Sequence, residues 1–583
     1  MRFRARYWLP RALAGLGALA ACSSGERSAP TDGARAEDRA LRDAMARGES
    51  WPSYGRDYTN QRYSPLAQIT AANVATLEPA WRYKTGIATT FEGVPLVLGR
   101  TMYLSTPLDH LVALDAATGA RKWEYAPVLD MTLHCCGAVS RGLAAWGSSL
   151  FLGQLDAKLV ALDTATGRVV WQTKVMDNKS GYSFTAPAIA VNGLVIIGTA
   201  GGEFGARGFV TAYDATTGKE RWRFWTIPAP GDAPNGWWGT WRPDDGFGSS
   251  FHRDIAREKA DSAKYPDAWK TGGAPVWQAV AVDTALGLVY INTGNAAPNL
   301  DGSPRPGDNL YACSIVAVDL ATGKYRWHYQ EVSHDVWDFD AASPVILLDV
   351  KDSTGATIPA AAEAGKTGWV YFVDRRNGKP IRRSEEFVTH VNMFAPTKVD
   401  DTVRVTPGDM GGSEWSAHAY SPQTNYLYVL GVHAPILYMA QHEPLHPPAE
   451  WWAGIFTPME AAGTLTAIDV NTGRRAWQVK MKAPLVGGAA ATAGGVVFLG
   501  TSDNRFIAVD AKTGRELWGY TANAGVNAPP ITYAVDGKQY VAVAAGGLWL
   551  LGNAPGDELL VFALGGTADT SSTAGKRSSG GGR

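Results

Sequence analysis

Cysteine is scarce: four residues in a chain of 583 cannot staple a scaffold, and no Cys-x-x-Cys pair occurs, so neither a zinc ribbon nor an attached c-type haem has its ligands. Charge of one sign is also lacking. Lysine and arginine number 54 against 55 acidic residues, and without a polybasic run there is no electrostatic case for nucleic acid. The apolar stretch from Ala12 to Ala21 is too short for a membrane-spanning helix. What is abundant is glycine (65), proline (33) and tryptophan (22), with 45% hydrophobic residues: a turn-rich chain able to bury a large core, and not a disordered one.

The N-terminus has the form of an export signal, with Arg2, Arg4, Arg6 and Arg11 ahead of the apolar stretch. Its end, Leu19-Ala-Ala-Cys22, is that of a bacterial lipoprotein signal, in which Cys22 becomes the lipidated first residue; an ordinary signal peptide is the alternative. The expectation is therefore a signal peptide over 1–21 and a periplasmic protein, anchored to the outer membrane through Cys22 where that residue is lipidated. Loss of 1–21 removes four arginines and no acid, leaving a net charge near −5. Residues 22–49, poor in large apolar groups, are expected to be a flexible tether, 50–566 the functional domain, and 567–583 a disordered tail.

Internal repetition decides the fold class. "ALDAATGARKW" (113–123) returns at 161–171, 212–222, 317–327, 467–477 and 508–518, with a degenerate copy, "FVDRRNGKPI", at 372–381. Each copy is an alternating strand, an Asp-x-x-Thr-Gly turn and a second strand, the grammar of a β-hairpin. Spacings of 41 to 51 residues between turn aspartates suit one four-stranded sheet each. The gaps from Asp214 to Asp319 and from Asp374 to Asp469 are about double, so each hides a divergent sheet or an insertion. Such sheets bury both faces by stacking radially into an all-β propeller of four-stranded antiparallel blades. The repeat tryptophans are expected between blades, and Glu558–Leu564 beside the N-terminal part of the domain, closing the ring.

Adjacent cysteines, Cys135 and Cys136, leave several readings open: redox couple, metal clip, active-site wall, or buried thiols. Neighbouring Cα atoms lie about 3.8 Å apart, against roughly 4.4–6.8 Å in ordinary disulfides, so a bond between them closes a strained ring.

The ordered series "FEGVPLV", "CCGAVSRGLA", "GTAGGEFGARGFVTAYD", "INTGN", "HDVWDFD" and "GKTGWVYFVDRRNG" resembles the quinoprotein alcohol dehydrogenases, which bind pyrroloquinoline quinone (PQQ). The resemblance runs from residue 51 to 547. It implies eight blades, PQQ in a central funnel, and a Cys135–Cys136 disulfide against one face of the quinone with Trp277 against the other. It implies Glu92, Arg141, Thr185, Gly201 and Gly202 as further cofactor contacts. Glu203, Asn295 and Asp338 would be oxygen ligands of one metal ion, Asp338 the base that takes the alcohol proton, and Lys366 the cation facing the C5 oxygen of PQQ. Asp340, two positions after the base, and Gly202, where calcium enzymes often have alanine, resemble the lanthanide-dependent type, so a lanthanide(III) is favoured over Ca2+. Quinoprotein glucose dehydrogenases, which also show Trp-Asp-x-Asp, are the counter-example.

Four positions depart from the family pattern: Thr185 is offset by one, Pro275 replaces a threonine, Val486 stands where tryptophan is common, and His433 where some relatives have asparagine. They put the substrate in doubt more than the cofactor. The implied function is oxidation of an alcohol by hydride transfer to metal-bound PQQ, with electrons leaving to a separate cytochrome c-type acceptor. The alternatives are a PQQ-dependent aldose or glucose dehydrogenase and a non-catalytic outer-membrane propeller lipoprotein.

Overall fold

Every full Asp-x-x-Thr-Gly repeat closes on its aspartate. Asp163 Oδ1 accepts from Thr166 N (2.8 Å) and Thr166 Oγ1 (2.7 Å), and the turns at Asp115, Asp214, Asp319 and Asp510 repeat the arrangement. The glycine that follows is fixed twice over. Gly167 has φ +69°, and a Cβ there would lie 2.5 Å from the ring of Trp123, the tryptophan of the preceding repeat. Trp123 in turn donates through Nε1 to Thr164 O (3.0 Å). Trp171, Trp222, Trp327 and Trp477 cover the turn glycines of the next sheets in the same way, so the repeat tryptophans do pack between neighbours.

The computed structural model describes residues 32–133, 136–232, 236–446, 449–566 and 571–572. Among them nine sheets form. Seven are antiparallel meanders carrying the repeat turns, beginning with Leu96–Leu98, Thr101–Thr106, His110–Asp115 and Arg121–Tyr125. An eighth pairs Gly556–Leu564 with Leu77–Thr89. This is the expected closure of the ring by the C-terminal strand. The ninth has three strands, Val403–Val405, Ile436–Ala440 and Gly454–Pro458. Both doubled gaps hold insertions: 226–280 precedes one meander, and the three-stranded sheet interrupts another. Within a meander, burial falls from the first strand, which lines the centre, to the half-exposed fourth.

That order gives the ring two unlike ends. The Asp-x-x-Thr-Gly turns join third and fourth strands and lie together at one end. The segments before each first strand, and those between second and third strands, lie at the other.

Residues 51–64 run inside the ring and cover the free edges of the innermost strands. Their backbone pairs with Val97, Val282, Leu347, Tyr420 and Ala491. Asn60 Nδ2 reaches Val280 O and Val345 O, while Arg62 donates to Ala489 O, Pro530 O and Tyr54 O. Arg62 has no carboxylate among these partners, and burial lowers its pKa to about 10. This segment satisfies edges that would otherwise stay unpaired and plugs the channel.

Residues 32–47, expected as part of a flexible tether, instead form a helix, α1 (Asp32–Arg47). It is docked: Leu41 and Met45 are buried, and Asp38 Oδ1 accepts from Trp146 Nε1 (2.9 Å) and Asn192 N (2.8 Å). An apolar pair four residues apart gives a stripe narrow enough to escape a reading by composition. The signal peptide, Cys22, and the tail apart from Ser571–Ser572, which pairs with Arg82 and Tyr83, lie outside the described residues.

Candidate active site

At the end opposite the repeat turns a cavity opens over the plug. Its walls come from loops of several sheets: Cys136, Arg141, Thr185, Gly201, Glu203, Trp277, Asn295, Asp338, Asp340 and Lys366 all line it. The structure thus brings together ten of the thirteen site residues singled out in the sequence. Glu92 lies just behind, buried, with its Oε2 3.0 Å from Arg141 Nε. Gly202 is buried beneath the wall. Cys135 lies outside the described residues; Cys136 is disulfide-bonded, and its carbonyl accepts from Trp549 Nε1 (3.2 Å).

The loop carrying Asp338 is bent by its own sequence. Asp335 Oδ1 accepts from Trp337 N (3.2 Å) and Phe339 N (3.1 Å), and Asp338 takes φ +67°, a conformation uncommon for a non-glycine residue and concentrated at functional sites. Asp338 Oδ2 then accepts from Lys366 Nζ (2.7 Å) and Oδ1 from Asn299 Nδ2 (2.7 Å). Lys366 also lies 3.5 Å from Asp340 Oδ1 and 3.4 Å from Glu414 Oε2. Trp277 Nε1 donates to Asp340 Oδ2 (2.9 Å), and the Arg141 guanidinium lies over the Trp277 ring at 5.1 Å.

Carboxylates outnumber cations here, and protonation responds. Burial pushes Glu203 up to about 7, helped by Asp340 and Glu450. Burial likewise lifts Glu414 to about 8 and raises Asp409, in both cases against Lys366. Asp338 is raised by burial and by Asp340, again against Lys366. Burial works against the Lys366 charge, but Asp338, Asp340 and Glu414 outweigh it and hold the ammonium well above its usual range. Such a site is short of positive charge.

That deficit, with its oxygen-rich donor set, fits a hard cation. Asp340 Oδ1 is buried without a hydrogen-bond partner, and Asn295 commits its amide nitrogen to Ala296 O (3.0 Å), which leaves its oxygen as the ligand atom. Among the described residues, no three His, Cys, Asp or Glu side chains already stand in metal-binding geometry; one expected ligand is an asparagine, and Lys366 sits between the aspartates. A flat anionic cofactor fits as well. Arg141 Nε and Glu92 Oε2 are close but unaligned, both buried without a hydrogen-bond partner, beside an indole face.

At Gly202 a Cβ would stand 3.0 Å from Cδ of Pro275, a tight contact that adds a packing preference for glycine there. His433 lines a different cleft, with Phe387 and Lys480. Sequence reasoning missed Asn299, Asp409, Glu414 and Glu450. Glu414, in "GGSEW", was findable as a carboxylate between a Gly-Gly pair and a buried tryptophan; the others carry no local signal.

Comparison with known proteins agrees with this geometry. A family model described as "PQQ: Glucose/ethanol/alcohol dehydrogenase, beta-propeller domain" matches residues 51–390 and 457–541. The quinohemoprotein alcohol dehydrogenase of Comamonas testosteroni is 35% identical over 570 residues, 92% of this chain and 78% of that one. Quinoprotein alcohol dehydrogenase PedH of Pseudomonas putida is 35% identical over 519 residues, 84% of this chain and 85% of the relative. A europium-containing methanol dehydrogenase superposes with a TM-score of 0.81 at 30% identity, over 90% of this chain and 100% of that one.

Proposed function

Since the chain belongs to the family of PQQ-dependent glucose, ethanol and alcohol dehydrogenases built on a β-propeller domain, we propose that it oxidises an alcohol at the cavity over the plug. The supporting observation is convergence: a buried carboxylate–lysine pair, Asp338 and Lys366, in one closed-bottomed cavity with further oxygen donors and an indole face. When bound, PQQ would supply a two-electron acceptor for the hydride of the carbinol carbon and its metal ion a Lewis acid, with Glu203, Asn295, Asp338 and Asp340 placed to hold the ion.

The chain's own residues do the rest. Asp338 accepts the alcohol's hydroxyl proton at a carboxylate oxygen, with Asn299 holding the other oxygen and so the plane of the group. Lys366, kept charged by its acidic neighbours, places a fixed cation where negative charge develops. Glu203, Asn295, Asp338 and Asp340 are the metal ligands of this reading, with a lanthanide(III) preferred to Ca2+ because Asp340 adds a further buried carboxylate, from which a trivalent ion gains more than a divalent one. Glu92, Arg141, Thr185, Gly201 and Trp277 hold the cofactor, and Cys136 with Cys135 forms a vicinal disulfide wall opposite Trp277.

The reading extends to eight blades, to the periplasm, to lipidation at Cys22, and to a cytochrome c-type acceptor. An aldose would need partners for several hydroxyls, whereas Met410, Trp452, Trp549 and Leu550 make up much of the outer wall; alcohols fit better. The test is reconstitution with PQQ and either Ca2+ or La3+, followed by dye-linked oxidation of ethanol. Activity needing both components, higher with La3+, is expected. Cofactor-independent binding only, or no retained quinone absorbance, would remove the proposal, and activation by Ca2+ alone would remove its lanthanide part.

A further inference from the structure

The chain enters the ring from one particular end. In an antiparallel meander the turn between first and second strands lies at the same end as the repeat turn between third and fourth, and α1 crosses three such first turns. Besides the bonds of Asp38 to Trp146 Nε1 and Asn192 N, Arg42 donates to Asn192 Oδ1 (3.1 Å) and Thr284 Oγ1 (3.1 Å), and a Cβ on Gly147 would lie 3.3 Å from Cδ of Glu37. Gly147, Asn192 and Thr284 stand in the first turns of three successive sheets. From there α1 runs inward, and its Met45 carbonyl accepts from Arg56 of the plug. The N-terminal chain therefore joins the propeller at the end opposite the cavity. Cys22 precedes Asp32 by ten residues, which is at most about 35 Å of extended chain, whereas a domain of this length spans roughly 60 Å.

Cations mark the same end. In six of the seven repeats the residue after the turn glycine is basic: Arg168, Lys219, Lys324, Lys379, Arg474 and Arg515. All six are exposed, and none pairs with an acid among the described residues. The turn aspartates point back onto their own amides, which sets the negative charge inside and the positive charge outermost. On α1, Arg39, Arg42 and Arg47 stand against exposed Glu37 and Asp43. The cavity end is the reverse, with six carboxyl groups in its wall against Arg141 and Lys366. We propose that the repeat-turn end, with α1, is the face laid against an anionic lipid surface, so that the cavity opens away from the membrane towards a water-soluble electron carrier. The inference rests on the reading above that Cys22 is lipidated. An anchor alone would leave the domain free to roll on its leash, and the cations give it a side. Each one brought to such a surface should favour this orientation about fivefold, the equivalent of ~1 kcal/mol.

The test places the full-length lipidated protein in vesicles of phosphatidylethanolamine and phosphatidylglycerol that carry a photo-activated cross-linking lipid, and locates the adducts by peptide mass spectrometry. At low salt they should fall on α1 and on the turns at Arg168, Lys219 and Lys324, and spare the exposed Trp549 and Leu550 at the cavity rim. Lys219→Gln combined with Lys324→Gln, two exposed changes that leave the fold intact, should lower the ratio of turn-end to rim adducts tenfold or more, and 1 M salt should do the same to the native protein by screening. Adducts concentrated at the rim, even labelling of both ends, or a ratio indifferent to both the substitutions and the salt would overturn the face assignment. An N-terminal peptide whose mass shows Cys22 without lipid would instead remove the anchor reading, and this inference with it.

Discussion

The two ends of the ring were built under different rules. At one end, turns of nearly one sequence recur, each aspartate capping its own loop and each glycine roofed by a neighbour's indole. At the other, no two loops are alike, carboxylates crowd without enough cations, and Asp338 holds a left-handed backbone. One end is consistent at every level and supplies stability. The other breaks those local rules, and it is where we propose the chemistry to lie.

The sharpest way to break this contrast is Asp338→Asn. A loss of about 10³-fold or more in alcohol oxidation is expected, with a thermal midpoint equal to or above the native one, since a neutral amide no longer bears the cost of a buried charge. A variant that lost stability in parallel would make Asp338 a structural residue. At the opposite end, Trp222→Ala should do the reverse. Trp222 is buried, donates to Leu320 O (3.0 Å) and roofs Gly323, so its removal should cost about 3–5 kcal/mol in chemical denaturation while activity per folded molecule stays within about twofold.

A subtler test sits between the two regions. Glu331 and Glu363 face each other in the core, and three of their four oxygens, all but the one accepting from Ser343 N, lack any donor except a shared proton. Burial, then mutual repulsion, raises Glu331; burial raises Glu363. A carboxyl whose folded pKa exceeds its unfolded one binds more protons when native, so its stabilisation is full below the ordinary carboxyl range and is lost as pH rises above it. Cofactor-free protein should therefore be less stable at about pH 8 than at about pH 5. Glu331→Gln should flatten that slope, and an unchanged slope would assign it elsewhere. Smallest of all, Asp38→Ala should cost about 1–2 kcal/mol by orphaning Trp146 Nε1, leave kcat untouched, and show in calorimetry whether α1 is docked or merely tethered.

Legibility followed the same division. The hairpins, their tryptophans and the closing strand could be read directly, because strand period and turn chemistry are local properties. The number of blades could not, since the closing sheet has no repeat turn and both long gaps hold insertions. On the site side, motifs located Asp338, Lys366, Glu203 and Asn295, whereas Asp409 and Glu450 reach the cavity from a stretch without repeat or periodicity and become visible only in three dimensions.

The segment 51–64 has one more consequence. By pairing with the innermost strands from within, it closes the ring beneath the cavity among the described residues, so fuel and electron carrier would approach from the same side. Alcohol must come in, aldehyde go out, and the carrier approach by the same threshold in turn. Such sharing makes the two compete for one mouth, so a high concentration of either partner should slow turnover with the other.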